Sequence, residues 1–360
     1  MKIQITISHP KHVHLFKNVI YNLVEKGHKI KIVARDKDVT LSLLETYGLK
    51  YELFEKHRSR LFSKAVDHLL VTRTFYKIAK NFNPDILTGC GGAVVAHTGR
   101  IIGKPSIVFA DTETAKLVNM LTFPFSSAIC TPSCYKENLG KKQVRYNGYE
   151  ELAYLHPNYF KPNLEFLDEL NLLEDDKFII LRFISWEASH DIGLRGIKKG
   201  TELEFIKSLE RYGRVFITSE RKLDKKLEKY RITISPEKIH SLLYYAQLYI
   251  GEGGTMAAEA AILGTPAIHI ESTSSGIATG ELSGNFLELR DKYGLLYFYP
   301  DQNQALEKAI SILEDKNSKK EWQKRREKLL KDKIDVTAWM TDFIERYPES
   351  FYEYQEKHEN

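Results

Sequence analysis

Short apolar runs alternate with segments of helical period along nearly the whole chain, and this alternation restricts the fold more than any single motif. In the first half, strands are expected at Lys2–Ile7, His28–Ala34, Lys50–Phe54, Asp85–Thr88, Ser106–Ala110 and, last, Ser127–Cys130. Helices are expected between them at Lys11–Lys26, Val39–Tyr47, Leu61–Phe82 and Ala93–Ile102. The two patterns are distinguishable because strand side chains alternate between faces, whereas helix side chains repeat about every 3.6 residues. Gly27, Asn83-Pro84 and Gly103-Lys104-Pro105 supply chemical stops. A β-α-β-α order implies a parallel sheet with helices on both faces, and such sheets bind ligands beyond the carboxyl ends of their strands. The residues to watch are therefore Ser8–His14, Gly89–Gly92 and Asp111–Thr114.

The rhythm breaks at Tyr146–Pro162, where Asn147-Gly148, Pro157 and Pro162 read as a linker, and then restarts. Strands are expected at Phe178–Phe183, Arg214–Thr218, Leu248–Ile250 and Ala267–Ile270. The helices are Thr201–Arg211, Arg221–Tyr230, Pro236–Ala246 with Ser235 as N-cap, Thr255–Leu263, and a charged tail over Gln302–Asp315 and Ser318–Tyr347. A length of 360 residues accommodates two such α/β domains. Charged residues make up 28% and hydrophobic ones 42%, which excludes a disordered chain. The net charge of +5 fits a partner carrying phosphate without requiring nucleic acid. Cys90, Cys130 and Cys134 form no CxxC and are expected to be buried free thiols. The first residues read as a strand and no apolar run reaches the ~18–20 residues of a membrane span. The expected place is the cytoplasm.

The strongest motif runs from Leu248 to Pro266: a strand, the turn Gly251-Glu252-Gly253-Gly254, a helix rich in small residues, and a Gly264-Thr265-Pro266 stop. Glycines let a ligand approach the backbone, and the first N–H groups of a helix favour an anion. Glu259 lies one turn in from Thr255 on the same face, where a carboxylate can accept ribose hydroxyls. The bland alternative is a tight turn followed by a solvated Glu. The dinucleotide pattern GxGxxG is not met.

This segment resembles the donor-binding half of GT-B glycosyltransferases and of the related UDP-GlcNAc 2-epimerases. The match falls on Gly253, Gly254, Thr255 and Glu259. The whole chain also resembles an uncharacterised, mostly archaeal family of that superfamily, through Ser8-His9-Pro10-Lys11-His12-Val13-His14 and GEGGTMAAEAAILGTPAI. The resemblance implies two facing Rossmann-like domains with parallel sheets: an acceptor domain over 1–150, a donor domain over 151–335, and a helix and tail over 336–360 that cross back onto the first. It implies diphosphate on the glycine turn and ribose on Glu259.

On the acceptor side, the loop after the first strand offers His12 or His14 as a general base, with Lys11 as partner to a phosphate or carboxylate. Solvated helix-cap residues are the alternative. No cysteine or carboxylate stands beside the HxxHxH pattern, so no metal is expected. Asp111 and Glu113 can serve as base or orient His12, or can simply cap a helix. Gly91 lets a substrate approach the backbone. On the donor side, Arg182 can neutralise the leaving diphosphate or join a surface ion pair, and Ser185 and Ser219 can add donor contacts.

Compared with the epimerases, the turn Thr88-Gly89-Cys90-Gly91-Gly92 stands where those enzymes carry a His-Gly-Asp-Thr-like turn. Ile184-Ser185-Trp186-Glu187 likewise replaces a His-Arg-rich turn. Both departures remove groups that proton chemistry at C2 uses. The expectation is therefore a metal-independent glycosyltransferase acting on a UDP-linked sugar without a further cofactor, with a 2-epimerase or a non-catalytic nucleotide-sugar binder as alternatives. The basic amphipathic stretch 54–82 is either a core-facing surface helix or a peripheral membrane contact for a lipid-linked acceptor. Sugar, acceptor, stereochemistry and oligomeric state stay open.

Overall fold

A computed structural model of the chain describes residues 1–54, 64–185 and 194–358. The apolar runs form twelve strands among these residues: β1 (Lys2–Ile7), β2 (Lys29–Ala34), β3 (Tyr51–Leu53), β4 (Ile86–Cys90), β5 (Ser106–Phe109), β6 (Ala128–Pro132), β7 (Gln143–Tyr146), β8 (Phe178–Phe183), β9 (Arg214–Ser219), β10 (Leu248–Gly251), β11 (Ala267–Ile270) and β12 (Leu296–Tyr299). They build two sheets, ordered β3-β2-β1-β4-β5-β6-β7 and β12-β11-β10-β8-β9, in which every strand pair is parallel. Each sheet lies in its own compact unit. The first unit comprises Met1–Tyr154 with Ile334–Asn360, and the second Leu155–Lys333.

In the first unit Ile3, Ile5 and Ile7 of β1 are fully buried at the centre of the sheet. The following helix, Pro10–Glu25, buries Val13, Phe16, Val19, Ile20 and Leu23 at helical spacing. Pro10 opens it, and the His9 ring accepts the Lys11 N–H at 3.2 Å, so a histidine serves as its N-cap. Strand order reverses on either side of β1, which places the loops after β1 and β4 at a topological switch point. Helix Val336–Glu345, followed by a last helix Glu349–His358, packs in this unit on helix Pro10–Glu25. Its Trp339 stacks on Tyr146 at 4.8 Å, and its Thr337 hydroxyl donates to the Ala153 carbonyl at 2.6 Å.

Several elements differ from expectation. The first sheet gains a seventh strand, β7, whose polar sequence Gln-Val-Arg-Tyr carries no apolar run. The stretch read as a linker is largely core: Tyr149, Leu152, Ala153, Tyr154 and Leu155 are at most 1% exposed. Gly148 marks no open turn there, since a Cβ on it would lie 2.4 Å from Val336. Segment Arg221–Tyr230 forms only a 3₁₀ turn at Glu228–Tyr230. The chain there returns along β9, with the Ile232 N–H on the Ile217 carbonyl at 2.9 Å. Helix Pro236–Ala246 begins as a 3₁₀ turn, and the Ser235 side chain caps nothing. Strand β12 and helix Gly284–Asp291 were not anticipated. No disulfide joins the cysteines: Cys130 is buried, and Cys90 and Cys134 are half-buried.

Candidate functional site

The loops after β1, β5 and β7 in the first unit bring four charged side chains together. The Lys11 ammonium forms ion pairs with Asp111, with Glu150 at 3.0 Å and with Glu151 at 3.0 Å. The side chains of Glu150 and Glu151 are 0% and 3% exposed, those of Lys11 and Asp111 11% and 14%. Three carboxylates cannot all stay ionised around one buried ammonium without a large desolvation cost. Burial, and then the Asp111 charge, push Glu150 up to about 8, with Lys11 opposing. Burial also presses on Asp111, but Lys11 and hydrogen bonds from Lys11, Thr112 and Glu150 hold it below its usual value. Lys11 is disfavoured by burial, yet the three carboxylates hold it well above the ordinary lysine range. The cluster's proton is therefore favoured on Glu150 and disfavoured on Asp111. Such a pair can accept one proton and return one.

Cys90 at the end of β4 approaches the Glu150 carboxyl at 3.5 Å. Burial, then Glu150, push its thiol up, so it stays neutral. The Tyr146 hydroxyl is buried with no hydrogen-bond partner among the described residues, and the charges that act on it most are Glu150 and Asp111.

The expected residues divide sharply. Lys11 and Asp111 are brought together, with Lys11 as a carboxylate partner. Glu113 instead turns inward and accepts the Lys136 N–H at 3.1 Å, which closes its own loop. His14 is 4% exposed and packs between Tyr47 and Tyr154, so it belongs to the core and not to an acceptor-facing surface. Burial, then His9 and Lys11, lower His12 to about 3, which keeps it neutral. The Ser8 N–H faces its Nδ1 at 3.4 Å, leaving the proton on Nε2, so the ring presents a donor at that end. Gly91 is half-buried, with φ of +60°, and a Cβ there would meet nothing within 4 Å. Glu150 and Glu151 escaped the sequence reading because they lie in the stretch taken for a linker.

The second unit carries the glycine turn as expected. Gly253 adopts φ +83°, and a Cβ on it would lie 2.9 Å from Ile184. A Cβ on Gly251 would lie 2.5 Å from the Arg182 carbonyl oxygen, so β10 reaches β8 only without one. Helix Gly254–Ile262 starts at this turn with a glycine, Gly253, as its N-cap, and Gly254 and Thr255 are half-buried. Ala257, Ala258, Ala260 and Ala261 are buried against the sheet. Glu259 is only 5% exposed and lies 3.2 Å from His240 Nε2, which overturns the solvated alternative. Phe160 packs edge-on against that histidine. Glu252, unassigned from sequence, is fully buried and accepts the Ile184 and Ile197 N–H groups at 2.9 and 2.8 Å. It thereby ties down the chain on both sides of 186–193.

Arg182 pairs with Glu220 through Nη2, realising the ion-pair alternative, and Glu220 also takes the Ser185 N–H at 3.4 Å. The Ser219 hydroxyl donates to the Arg221 carbonyl at 2.8 Å. Trp186 and Glu187 lie outside the described residues, as does the 55–63 part of the basic stretch. In the rest of that stretch Phe75 and Ala79 are fully buried, with Val71 and Ile78 packed on the same cluster, as in an ordinary core-facing helix. Among the described residues no helix is long and apolar enough to cross a membrane.

Two parallel α/β units, the second opening a helix on a glycine turn, define a GT-B-like fold. The chain belongs to the family described as "Protein of unknown function (DUF354)", which matches residues 1–338. It is 25% identical over 278 residues to the uncharacterized protein MJ0665 of Methanocaldococcus jannaschii, covering 74% of this chain and 81% of that one. The fold is similar to the UDP-GlcNAc 2-epimerase of Neisseria meningitidis bound to UDP-GlcNAc, with TM-score 0.63, 14% identity, and coverage of 96% of this chain and 99% of that one. It is also similar to SsfS6, a glycosyltransferase of Streptomyces sp. SF2575, with TM-score 0.59, 10% identity, and coverage of 96% and 100%.

Proposed function

We propose that this protein is a metal-independent glycosyltransferase that takes its sugar from a nucleotide-diphosphate sugar, UDP-linked, with the donor bound by the second unit. The observation that carries the reading is the pairing of the turn Gly253-Gly254-Thr255 with a buried, histidine-held Glu259 one turn further along the same helix. Helix N–H groups suit the diphosphate, and a fixed carboxylate suits the paired hydroxyls of ribose. Negative charge grows on the departing phosphate oxygen as the anomeric C–O bond breaks. Arg182, held by Glu220 in the structure, supplies positive charge there when the diphosphate takes the place of that carboxylate, with the Ser185 N–H beside it. In the first unit Asp111 is the ionised group that accepts the acceptor hydroxyl's proton. Lys11 and Glu150 hold its charge and orientation, His12 offers a donor, and Gly91 leaves room for the acceptor.

One observation favours a second reading, a nucleotide-sugar 2-epimerase. Epimerisation removes and returns a proton at C2, and Asp111 and Glu150 stand on one ammonium, Lys11, with burial and charge raising one carboxyl and lowering the other. The test is incubation with UDP-GlcNAc in D2O without any acceptor, followed by proton NMR. Binding of the intact sugar with no deuterium at C2 supports the transferase. Deuterium at C2, or the 2-epimer, supports the epimerase. If no nucleotide sugar binds, both readings fail.

A further inference from the structure

Helix Lys116–Thr122 is inside out. Its neutral polar residues face the protein: Asn119 is 8% exposed and donates to the Thr112 carbonyl at 3.1 Å and the Tyr135 hydroxyl at 3.3 Å. Thr122 is fully buried, donates to the Val118 carbonyl at 2.7 Å, and takes the Ser126 hydroxyl on its own carbonyl at 2.9 Å. Its large apolar side chains point to solvent: Leu117 and Met120 are each 65% exposed, Leu121 44% and Val118 40%, and Phe125 follows at 45%. A lone exposed leucine needs no explanation, but a contiguous apolar face with polar residues beneath it marks a surface built to be covered.

The patch continues onto helix Ala93–Ile102. His97 touches Phe125 edge-on at 4.8 Å and contacts the Leu121 carbonyl at 2.8 Å. One turn further on the same side stand Arg100 and Ile101, the latter 63% exposed. Cations surround this face. Lys116 opens the apolar helix, Arg100 and Lys104 flank Ile101 and Gly103, and the Lys142 ammonium donates to the Pro124 carbonyl at 2.7 Å. The only carboxylates between residues 93 and 126 are Asp111 and Glu113, and both are engaged elsewhere, on Lys11 and on the Lys136 N–H.

We propose that this face docks on an anionic lipid surface. Leu117, Met120, Leu121 and Phe125 enter the acyl boundary while Arg100, Lys104, Lys116 and Lys142 meet headgroup phosphates. A symmetric pairing with a second copy would bring the two basic rims against each other, which opposes self-association. The residues of this face are other than those of the 54–82 stretch. Asn119 ties the helix to the loop that carries Asp111, so docking brings that loop to the lipid surface. The inference stands on exposure and charge and does not require the nucleotide-sugar reading.

The test is flotation of the full chain with phosphatidylcholine vesicles and with vesicles that also contain phosphatidylglycerol. The expected result is capture by the anionic vesicles only, weakening with salt. The double variant L117D/M120D is expected to lose about tenfold in bound fraction, because it puts charge on the inserted face. Both positions are exposed, and an unchanged thermal melt shows that the variant still folds. L173D, at a 75% exposed leucine of the second unit, is expected to bind like the parent chain. No capture by anionic vesicles, or equal capture of L117D/M120D, overturns the proposal. So does a concentration-dependent dimer that L117D/M120D dissolves.

Discussion

Lys11 decides the charge states of the carboxyls around it. Remove its charge, as in Lys11→Met, and three buried carboxyls lose the ammonium they share. Leaving buried charge unpaired costs about 3–5 kcal/mol, and that loss is expected in urea unfolding of Lys11→Met at pH 7. Glu150 gives the cluster a pH dependence of unusual sign. Its folded value is raised to about 8, from an ordinary 4.5. Between those values the folded chain holds a proton that the unfolded chain has released. The contribution is therefore fully present below the unfolded value and is lost as pH rises through the folded one. Stability is expected to fall between pH 5 and 8, by at most about 1.4 kcal/mol per pH unit. Glu150→Gln keeps the neutral hydrogen-bonding shape and should flatten this slope, and an unchanged slope would falsify the assignment. Lys11 and Asp111 were legible in the sequence because each follows a recognisable apolar strand. Glu150 was not, because its strand β7 is short and polar and its partners are distant in the chain.

At the scale of elements, the glycine turn is the feature that local pattern specified most fully. Strand, turn, small-residue helix and Gly-Thr-Pro stop all appear where periodicity and glycine chemistry put them. What the pattern could not supply is the inward face of the turn. Glu252, to which the sequence pattern assigns no role, is an anchor for Ile184 and Ile197. Glu259 looks exposed in a one-dimensional reading, yet His240 from another helix holds it. Edge elements were the least legible: the helix expected at Arg221–Tyr230 yields to pairing along β9, which no helical period can register. Two outcomes follow for the turn-helix unit. Gly253→Val places a branched side chain at φ +83° and 2.9 Å from Ile184, so UDP binding by calorimetry should be abolished or severely weakened. Glu259→Ala removes one charged acceptor and should weaken UDP binding by about 10–100-fold, while loss of its buried contact with His240 costs about 1–3 kcal/mol of stability, so affinity is measured well below the melt. Equal affinity in Glu259→Ala would remove that residue from the ribose role.

For the whole molecule, the chain path makes the two units separable by experiment. The first unit is discontinuous: it needs Ile334–Asn360 in addition to Met1–Tyr154. Helix Val336–Glu345 contributes Val336, Met340, Phe343 and Ile344, all at most 3% exposed, to that unit's core. Met340→Ala and Phe343→Ala each leave a cavity there and should cost about 2–5 kcal/mol. Calorimetry should register that loss in the transition belonging to the first unit. A nucleotide acts on the other side of the ledger of contacts, since it binds only the folded second unit in the proposed scheme. At a hundredfold excess over its dissociation constant, UDP should stabilise that unit by about 2.7 kcal/mol. The expected thermogram of Phe343→Ala with UDP therefore shows the two transitions moving apart, one lowered by the cavity and the other raised by the ligand. Multidomain proteins commonly melt in more than one step, so this separation is measurable. If UDP instead raises the Phe343→Ala transition and leaves the other unmoved, nucleotide binding belongs to the first unit, and the assignment of donor and acceptor halves must be exchanged.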